Sequence, residues 1–213
     1  MPVNIIRCGL KQAQIQPIFT MKKLILSLLL LCSFSWMQAQ ISDEDYKSLL
    51  PHVKAENWKK AFNASEELLE DAEEDNAENT ENAALVRFTY LYAASGMVKD
   101  GKMKFEKLQS LVEKNKGKTI LSPNFIASMN PQNTLNKTMF TNFDGLNKGF
   151  TIVTNKVGSI LFYIEYDIKH KIDPKELHGT MVSCGGKINE IEVNPQKKTD
   201  WIFKMKVAEA TIK

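Results

Sequence analysis

The sequence predicts an α+β fold, with antiparallel helical pairs followed by an antiparallel β barrel or sandwich. Residues 41–117 have apolar side chains at helical spacing and few β-branched residues. Residues 118–213 are rich in Ile, Val, Thr and aromatic residues that alternate with polar ones. The two regions also carry opposite net charges of about −5 and +4, which favours their docking. We therefore expect a helical region at 41–117 and a β-domain at 118–213.

The residues before this fold are predicted to be a leader. Residues 21–39 contain two lysines, then an apolar stretch, then a small residue before a cut ahead of Gln40, which is the order of a secretory signal peptide. The apolar stretch is shorter than the ~20 residues of a membrane span. Residues 1–20 resemble no targeting element, so we interpret them as a non-native upstream extension and Met21 as the start. Lipidation of Cys32 is the less favoured alternative, because leucine precedes it.

This leader predicts an exported protein, periplasmic or secreted, with no stable membrane span after cleavage. It also explains the basic composition of the whole chain. Removing the leader takes four basic residues from the total of 28 and leaves 24 against 25 acidic ones, so the charge does not indicate nucleic-acid binding. Cys184 is the one cysteine beyond the leader, so the sequence predicts a fold held by its core without an internal disulfide.

Four helices are predicted between 41 and 117. The first begins at the N-cap Ser42 and is expected to kink or break near Pro51. The second carries Trp58 on its apolar stripe. The third ends at Gly96 or Gly101, and the fourth follows and stops before residue 117. Each helix has one apolar face, which predicts packing as antiparallel pairs.

Part of this region resembles a tetratricopeptide-like repeat. The resemblance is carried by Trp58 and Ala61 in one helix, by the run 91–94 and Gly96 in the next, and by a new helix after Gly101. It covers about one and a half repeat units and lacks the proline that usually ends a unit. The resemblance implies a scaffold for protein–protein contacts, and a plain helical bundle packed on the β-domain is the alternative.

The β-domain is expected to contain about six antiparallel strands. Residues 137–142, 150–155 and 159–168 are the first runs, with a hairpin turn at 156–158. Residues 179–184 and 187–193 flank Gly185 and Gly186, which indicates a second hairpin. The stretch from 179 to 207 is weakly similar to an oligonucleotide/oligosaccharide-binding barrel.

No pattern in the sequence predicts a catalytic residue, a metal site or a cofactor. The acidic run 66–81 departs from the calcium-loop pattern, because Asn76 and Asn82 stand where glycine and glutamate are needed. His178 and Cys184 share a predicted strand but lie about 20 Å apart along it, too far for a catalytic pair. We therefore expect Cys184 to be a buried free thiol.

The last strand, 201–207, combines aromatic and basic side chains. Aromatic residues beside lysines are typical of single-stranded nucleic-acid binding. Here Trp201 and Phe203 alternate with Lys204 and Lys206, which favours a core face and a solvent face instead. We therefore expect no nucleic-acid partner.

The function predicted from these patterns is binding rather than catalysis. We expect an exported adaptor protein of the cell envelope that contacts another envelope protein, with Trp58, Tyr92, Lys204 and Lys206 on the interaction surface. A β-domain that binds a small ligand or glycan beneath a helical cap is the alternative. An enzyme ranks third, since active sites built from distant residues leave no local motif. The oligomeric state is not predicted.

Overall fold

The structure, a computed structural model, describes residues 40–130, 135–143 and 145–213. The predicted extension at 1–20 and the signal peptide at 21–39 lie outside the described residues. The described residues form one compact unit. Within the described ranges, none of the helices has the length and apolarity needed to cross a membrane.

Helices form the first part of this unit, as the sequence predicts. They are α1 Asp43–Lys54, α2 Trp58–Glu74, α3 Glu81–Lys99 and α4 Phe105–Asn115, and a short α5 Pro174–Leu177 follows later in the chain. Ser42 is the N-cap of α1, and its hydroxyl accepts a hydrogen bond from the backbone N–H of Asp45. The Asp45 carboxylate in turn accepts one from the backbone N–H of Ser42. Of the predicted kink or break near Pro51, the break does not occur at this residue, because α1 continues through the proline for about one more turn and ends at Lys54.

Helix α3 is the centre of the helical layer. It packs against α1, α2 and α4 and also against the sheet strands that lie beneath it. Of the two predicted ends, Gly96 lies inside α3, and Gly101 follows the helix with a φ of +69°. Glycine accepts this left-handed conformation without steric cost, so Gly101 lets the chain turn away toward α4.

The second part is one eight-stranded sheet in the order β1-β7-β8-β5-β4-β3-β2-β6. The strands are β1 Thr119–Leu121, β2 Phe125–Ser128, β3 Lys137–Phe143, β4 Leu146–Thr154, β5 Ile160–Ile168, β6 Met181–Val182, β7 Cys184–Val193 and β8 Phe203–Ile212. The prediction of a purely antiparallel domain is wrong, since β2 pairs with β3 and β5 pairs with β8 in parallel. The predicted hairpin at 156–158 is confirmed between β4 and β5.

The sheet curls into a half-barrel. Strands β6 and β7 are separated by Ser183 alone, yet β6 pairs with β2 at one end of the sheet and β7 pairs with β8 near the other. Strands β1 and β2 are likewise separated by only residues 122–124 and pair with β7 and β6. Each of the segments 119–128 and 181–193 therefore contributes strands near both ends of the sheet, and this brings the two ends close together. A single sheet excludes the predicted sandwich.

The predicted hairpin at Gly185 and Gly186 is also wrong, because both glycines lie inside the continuous strand β7. A Cβ atom at Gly185 would lie 2.8 Å from the carbonyl oxygen of Ile120, and one at Gly186 would lie 2.5 Å from that of Ala208. Glycine is therefore needed because neighbouring backbones approach closely, not because the chain turns.

Helices and sheet share one hydrophobic core. Phe162 of β5 is fully buried, with its ring stacked on Phe203 at 4.6 Å and in edge contact with Phe88 and Tyr92 of α3. Arg87 of α3 is also buried and donates hydrogen bonds to backbone carbonyls at both Glu78 and Thr119. The helices therefore cover one face of the central strands and leave the opposite face to solvent.

Candidate functional site

The open face of the central strands carries a cluster of aromatic rings. Along β5, Phe162 and Ile164 point into the core, so Tyr163 and Glu165 lie on the opposite, partly exposed side. Phe150 of β4 and Trp201, just before β8, lie on this same side. We call Phe150, Tyr163 and Trp201 the aromatic platform.

The platform lines a depression of about 490 Å³. The rings of Phe150 and Tyr163 are 6.0 Å apart at the centroids with planes 20° apart, and those of Tyr163 and Trp201 are 6.3 Å apart. All three side chains are partly exposed, unlike the fully buried rings of Phe162 and Phe203 on the helix-covered face. Apolar depressions with a few polar groups at the edge are the usual form of binding sites.

Charged side chains surround the platform in two rows across the sheet. One row runs Ile152, Tyr163, Lys204, Glu192, and the other runs Phe150, Glu165, Lys206, Glu190. We call Glu165, Glu190, Glu192, Lys204 and Lys206 the charged rim. Because cross-strand partners share a face, the strand register alone brings these side chains from three strands, β5, β7 and β8, to one surface.

Ion pairs fix part of this rim. The Lys206 ammonium lies 2.9 Å from the Glu190 carboxylate, and Lys148 lies beside both Glu165 and Asp167. The hydrogen bond to Glu190 raises the pKa of Lys206 above its usual value, and the bond to Glu165 does the same for Lys148. Both lysines therefore remain charged across the physiological range.

Trp201 is held by the loop that precedes β8. The buried Asn194 side chain donates hydrogen bonds to the carbonyl oxygens of Lys198 and Trp201 and to the carboxylate of Asp200, and accepts one from the backbone N–H of Gln196. The predicted alternation of Trp201 with Lys204 is wrong. Trp201 lies before the strand, and the Lys204 ammonium sits 4.6 Å from the centre of its ring.

The four residues predicted for the interaction surface do not lie together. Lys204 and Lys206 are exposed and belong to the charged rim. Trp58 is only 3% exposed and packs in the helical layer, in edge contact with the half-buried Tyr92 at 5.1 Å. Placing Trp58 on a surface is therefore wrong, because its apolar helix face is the one that the core covers.

A second, smaller depression of about 220 Å³ lies between α1, α3 and the sheet. Tyr46, Val53, Tyr92 and Phe125 are among its lining residues, and the Tyr92 hydroxyl donates a hydrogen bond to the carbonyl oxygen of Thr154. Burial raises the pKa of Tyr92 to about 12, so this hydroxyl stays protonated. The lining of this depression therefore offers a ligand no charged group.

The remaining candidates are placed apart. Cys184 is a buried free thiol, as predicted, and burial raises its pKa to about 12. His178 is exposed and follows α5, so the prediction that it shares a strand with Cys184 is wrong. The acidic run 66–81 occupies the second half of α2, the loop that follows and the first residue of α3, and within α2 Glu73 pairs with Lys118. Within the described ranges, no cluster of three potential metal ligands occurs.

Sequence reasoning missed the platform itself. Phe150 and Tyr163 were recognisable as aromatic residues on strands, and Tyr163 alternates with the buried Phe162 and Ile164. What the sequence did not carry was the parallel pairing of β5 with β8, which places Trp201 beside Tyr163. That pairing joins segments about forty residues apart.

Comparison with known proteins adds no relative. No known family matches the chain, and neither a curated protein nor a solved structure matches it. The fold and the site therefore define the class by themselves: an α+β protein with a helix-covered half-barrel whose open face carries an aromatic platform.

Proposed function

We propose that the protein is an exported, non-enzymatic binding protein of the cell envelope that recognises another protein through the aromatic platform. One observation carries the proposal: three partly exposed aromatic rings meet in one depression on the face of the sheet that the helices leave open. Tyrosine and tryptophan are enriched among the residues that contribute most to protein–protein binding. They bury a large apolar area while their polar atoms remain hydrogen-bonded.

The charged rim supports a protein partner over a strongly charged polymer. Its two ammonium groups and three carboxylates lie in alternating rows, so the surface has no large potential of one sign. Rim charges of this kind favour orientation and specificity more than affinity. The export component of the proposal rests on the signal-peptide pattern of residues 21–39.

The helical layer is proposed to be a tetratricopeptide-like scaffold of antiparallel pairs. Supporting contacts are the stacking of Phe62 on Tyr90 at 4.7 Å and the edge contact of Trp58 with Tyr92. They join the first half of α2 to the second half of α3. In this proposal the helices hold the sheet rigid from behind, so that the platform is preorganised for binding.

A photo-crosslinking experiment tests the protein partner. A photoreactive amino acid replaces Lys204 in the full chain, and a matched chain carries it at the exposed Lys171, away from the platform. We expect an adduct with one envelope protein from position 204 and none from 171. The identified partner, purified, should bind the wild-type chain and lose at least tenfold in affinity with Trp201→Ala, as for a central aromatic anchor.

Three results would contradict this function. Equal adducts from both positions would indicate contact without recognition, and an adduct with a second copy of this chain would indicate self-association. Binding of the purified partner that is unchanged by Trp201→Ala would place its surface elsewhere.

A glycan ligand is the second candidate, favoured by the near-parallel planes of Phe150 and Tyr163. Two such rings form a flat apolar floor on which the C–H face of a sugar can lie. A soluble oligosaccharide panel followed by thermal shift would support this candidate if one sugar stabilises the wild-type protein and not Tyr163→Ala. A flat response across the panel would leave the protein partner as the one proposal.

A further inference from the structure

The aromatic platform already holds one cation, which is the protein's own. The Lys204 ammonium lies 4.6 Å from the centre of the Trp201 ring, within the range of a cation–π contact. Glu192 is its cross-strand neighbour on β7, but Lys204 forms no ion pair with it. The long, exposed lysine side chain therefore leans over the indole ring, although a carboxylate is close.

The other charges around the depression leave a carboxylate available. Lys206 is engaged by Glu190, and Glu165 is engaged by Lys148. Glu192 is exposed and has no ion-pair partner among the residues that the structure describes. Three carboxylates line the depression against the two ammonium groups of Lys204 and Lys206, and a cation that displaced Lys204 would meet aromatic ring faces and the unpaired carboxylate of Glu192.

We infer that the partner inserts a cationic side chain, an arginine or a lysine, into the depression and displaces Lys204 from Trp201. This inference rests on the proposed function and names the chemistry of the partner. Arginine fits better, because its planar guanidinium can stack on the indole ring while donating two hydrogen bonds to one carboxylate. Lys204 is then an internal competitor that occupies the ring until the partner arrives.

If Lys204 is a competitor, replacing it changes the affinity for a cation in the opposite direction from replacing an ordinary contact residue. If Lys204 only competes, replacing it by an uncharged side chain of similar length strengthens cation binding. If Lys204 instead contacts an anionic partner, the same replacement weakens binding. Trp201 and Glu192 contact the incoming cation, so replacing either residue weakens cation binding.

The first experiment uses N-acetyl-arginine methylamide as the probe and the isosteric, uncharged N-acetyl-citrulline methylamide as its control. The readout is the indole N–H resonance of Trp201 in the full chain, assigned by its absence from Trp201→Phe. We expect millimolar binding of the arginine probe, and binding about two- to fivefold tighter in Lys204→Met, the size of one exposed cation–π contact. Glu192→Gln should weaken binding, and Lys171→Met should leave it unchanged.

Equal shifts from the citrulline probe would overturn the inference, and so would weaker arginine binding by Lys204→Met. Melting temperatures within about a degree of wild type, expected for surface substitutions, would show that each variant is folded.

The inference and the proposed function can fail separately. If crosslinking at 204 identifies a partner whose affinity is unchanged by Glu192→Gln, the cationic anchor is refuted and the binding function stands. If the arginine probe binds as expected but no partner crosslinks, the cation site stands and the protein-binding function is refuted.

Discussion

The indole ring of Trp58, at the start of α2, lies against the backbone of Gly96, near the end of α3. A Cβ atom added at Gly96 would lie 2.8 Å from Cε3 of Trp58 and closer still to Cδ2 and Cε2. The ring is also in edge contact with Tyr92, one turn earlier on α3. Glycine is therefore required at position 96 by the close approach of two helices, and not by an unusual backbone conformation.

Gly96→Ala is expected to destabilise the protein by about 1–3 kcal/mol, the usual cost of overpacking, although alanine is the better helix former. Urea unfolding measures the change in the free energy of unfolding. The matched control is the same substitution in a Trp58→Phe background, where the smaller ring leaves room and the cost of alanine falls. A stabilised Gly96→Ala single variant would show that α2 and α3 shift apart freely.

Asn194→Ala is expected to loosen the loop that holds Trp201. The side chain makes four hydrogen bonds within 194–201, and removing it leaves carbonyl groups of this loop without their donor. We expect a loss of about 1–3 kcal/mol in stability and faster motion of the indole N–H in NMR relaxation. Asn194→Asp should cost at least as much, because a carboxylate cannot donate and would face Asp200.

The exposed Asn189→Ala is the control for this loop and should change neither quantity. If Asn194→Ala leaves the relaxation of the Trp201 indole unchanged, the aromatic platform is positioned by ring packing and not by the loop.

Arg87→Met is expected to weaken the attachment of the helical layer to the sheet. Arg87 is 1% exposed and donates to the Glu78 carbonyl oxygen at 2.9 Å and also to that of Thr119 in β1. Both carbonyls lose their donor in the variant, so we expect a loss of about 2–4 kcal/mol in urea unfolding. Arg87→Lys should recover only part of the stability lost in Arg87→Met, because one ammonium replaces a forked guanidinium.

Lys59→Met, an exposed position on α2, serves as the control for side-chain charge and length. Since helices and sheet share one core, far-ultraviolet circular dichroism and tryptophan fluorescence should report a single coincident transition in all variants. Two separate transitions in the wild-type protein would contradict the shared core.

Stability is expected to fall at alkaline pH because of Cys184. Burial disfavours the thiolate and raises the pKa of Cys184 from its ordinary value of 9.0 to about 12 in the fold. The native state thus holds its proton when the unfolded state has lost it, so stability is full below pH 9 and declines as pH rises toward 12. Each raised group adds at most about 1.4 kcal/mol per pH unit to this slope.

Cys184→Ala should make the decline in the free energy of unfolding between pH 9 and 11 shallower by at most about 1.4 kcal/mol per pH unit. Urea unfolding at each pH measures this change. Buried tyrosines such as Tyr92 continue to contribute above pH 10 in both proteins. From pH 6 to 8 the difference between variant and wild type should stay constant. Parallel curves up to pH 11 would show that the Cys184 thiol ionises in the fold as it does in the unfolded chain.

Local signals in the sequence were sufficient for the start of α1 and, as one of two alternatives, for the end of α3. Ser42 caps α1, and Gly101 follows α3 in the left-handed conformation. Both were predictable because helix capping and the left-handed conformation of glycine depend on a few adjacent residues. The turn at 156–158 was predictable for the same reason. Pro51 misled because a helix that ends one turn later tolerates the loss of one hydrogen bond.

Long-range contacts account for the errors. Gly185 and Gly186 have the local appearance of a turn, but they serve the close approach of β1 and β8 to β7. Trp58 appears as a candidate surface residue until the backbone of Gly96 is placed against it. In both cases the deciding neighbour lies far away in sequence.

The sequence by itself determined the division into a helical region and a strand region, the apolar face of each helix, and the alternation that buries Phe203 and exposes Lys204. These follow from periodicity and capping, which act over one or two turns. Only the tertiary structure decided that β5 and β8 pair in parallel, that the sheet curls, and that Phe150, Tyr163 and Trp201 meet on its open face. Strand order depends on how distant segments bury their apolar faces together, and that free energy belongs to the whole core rather than to any one segment.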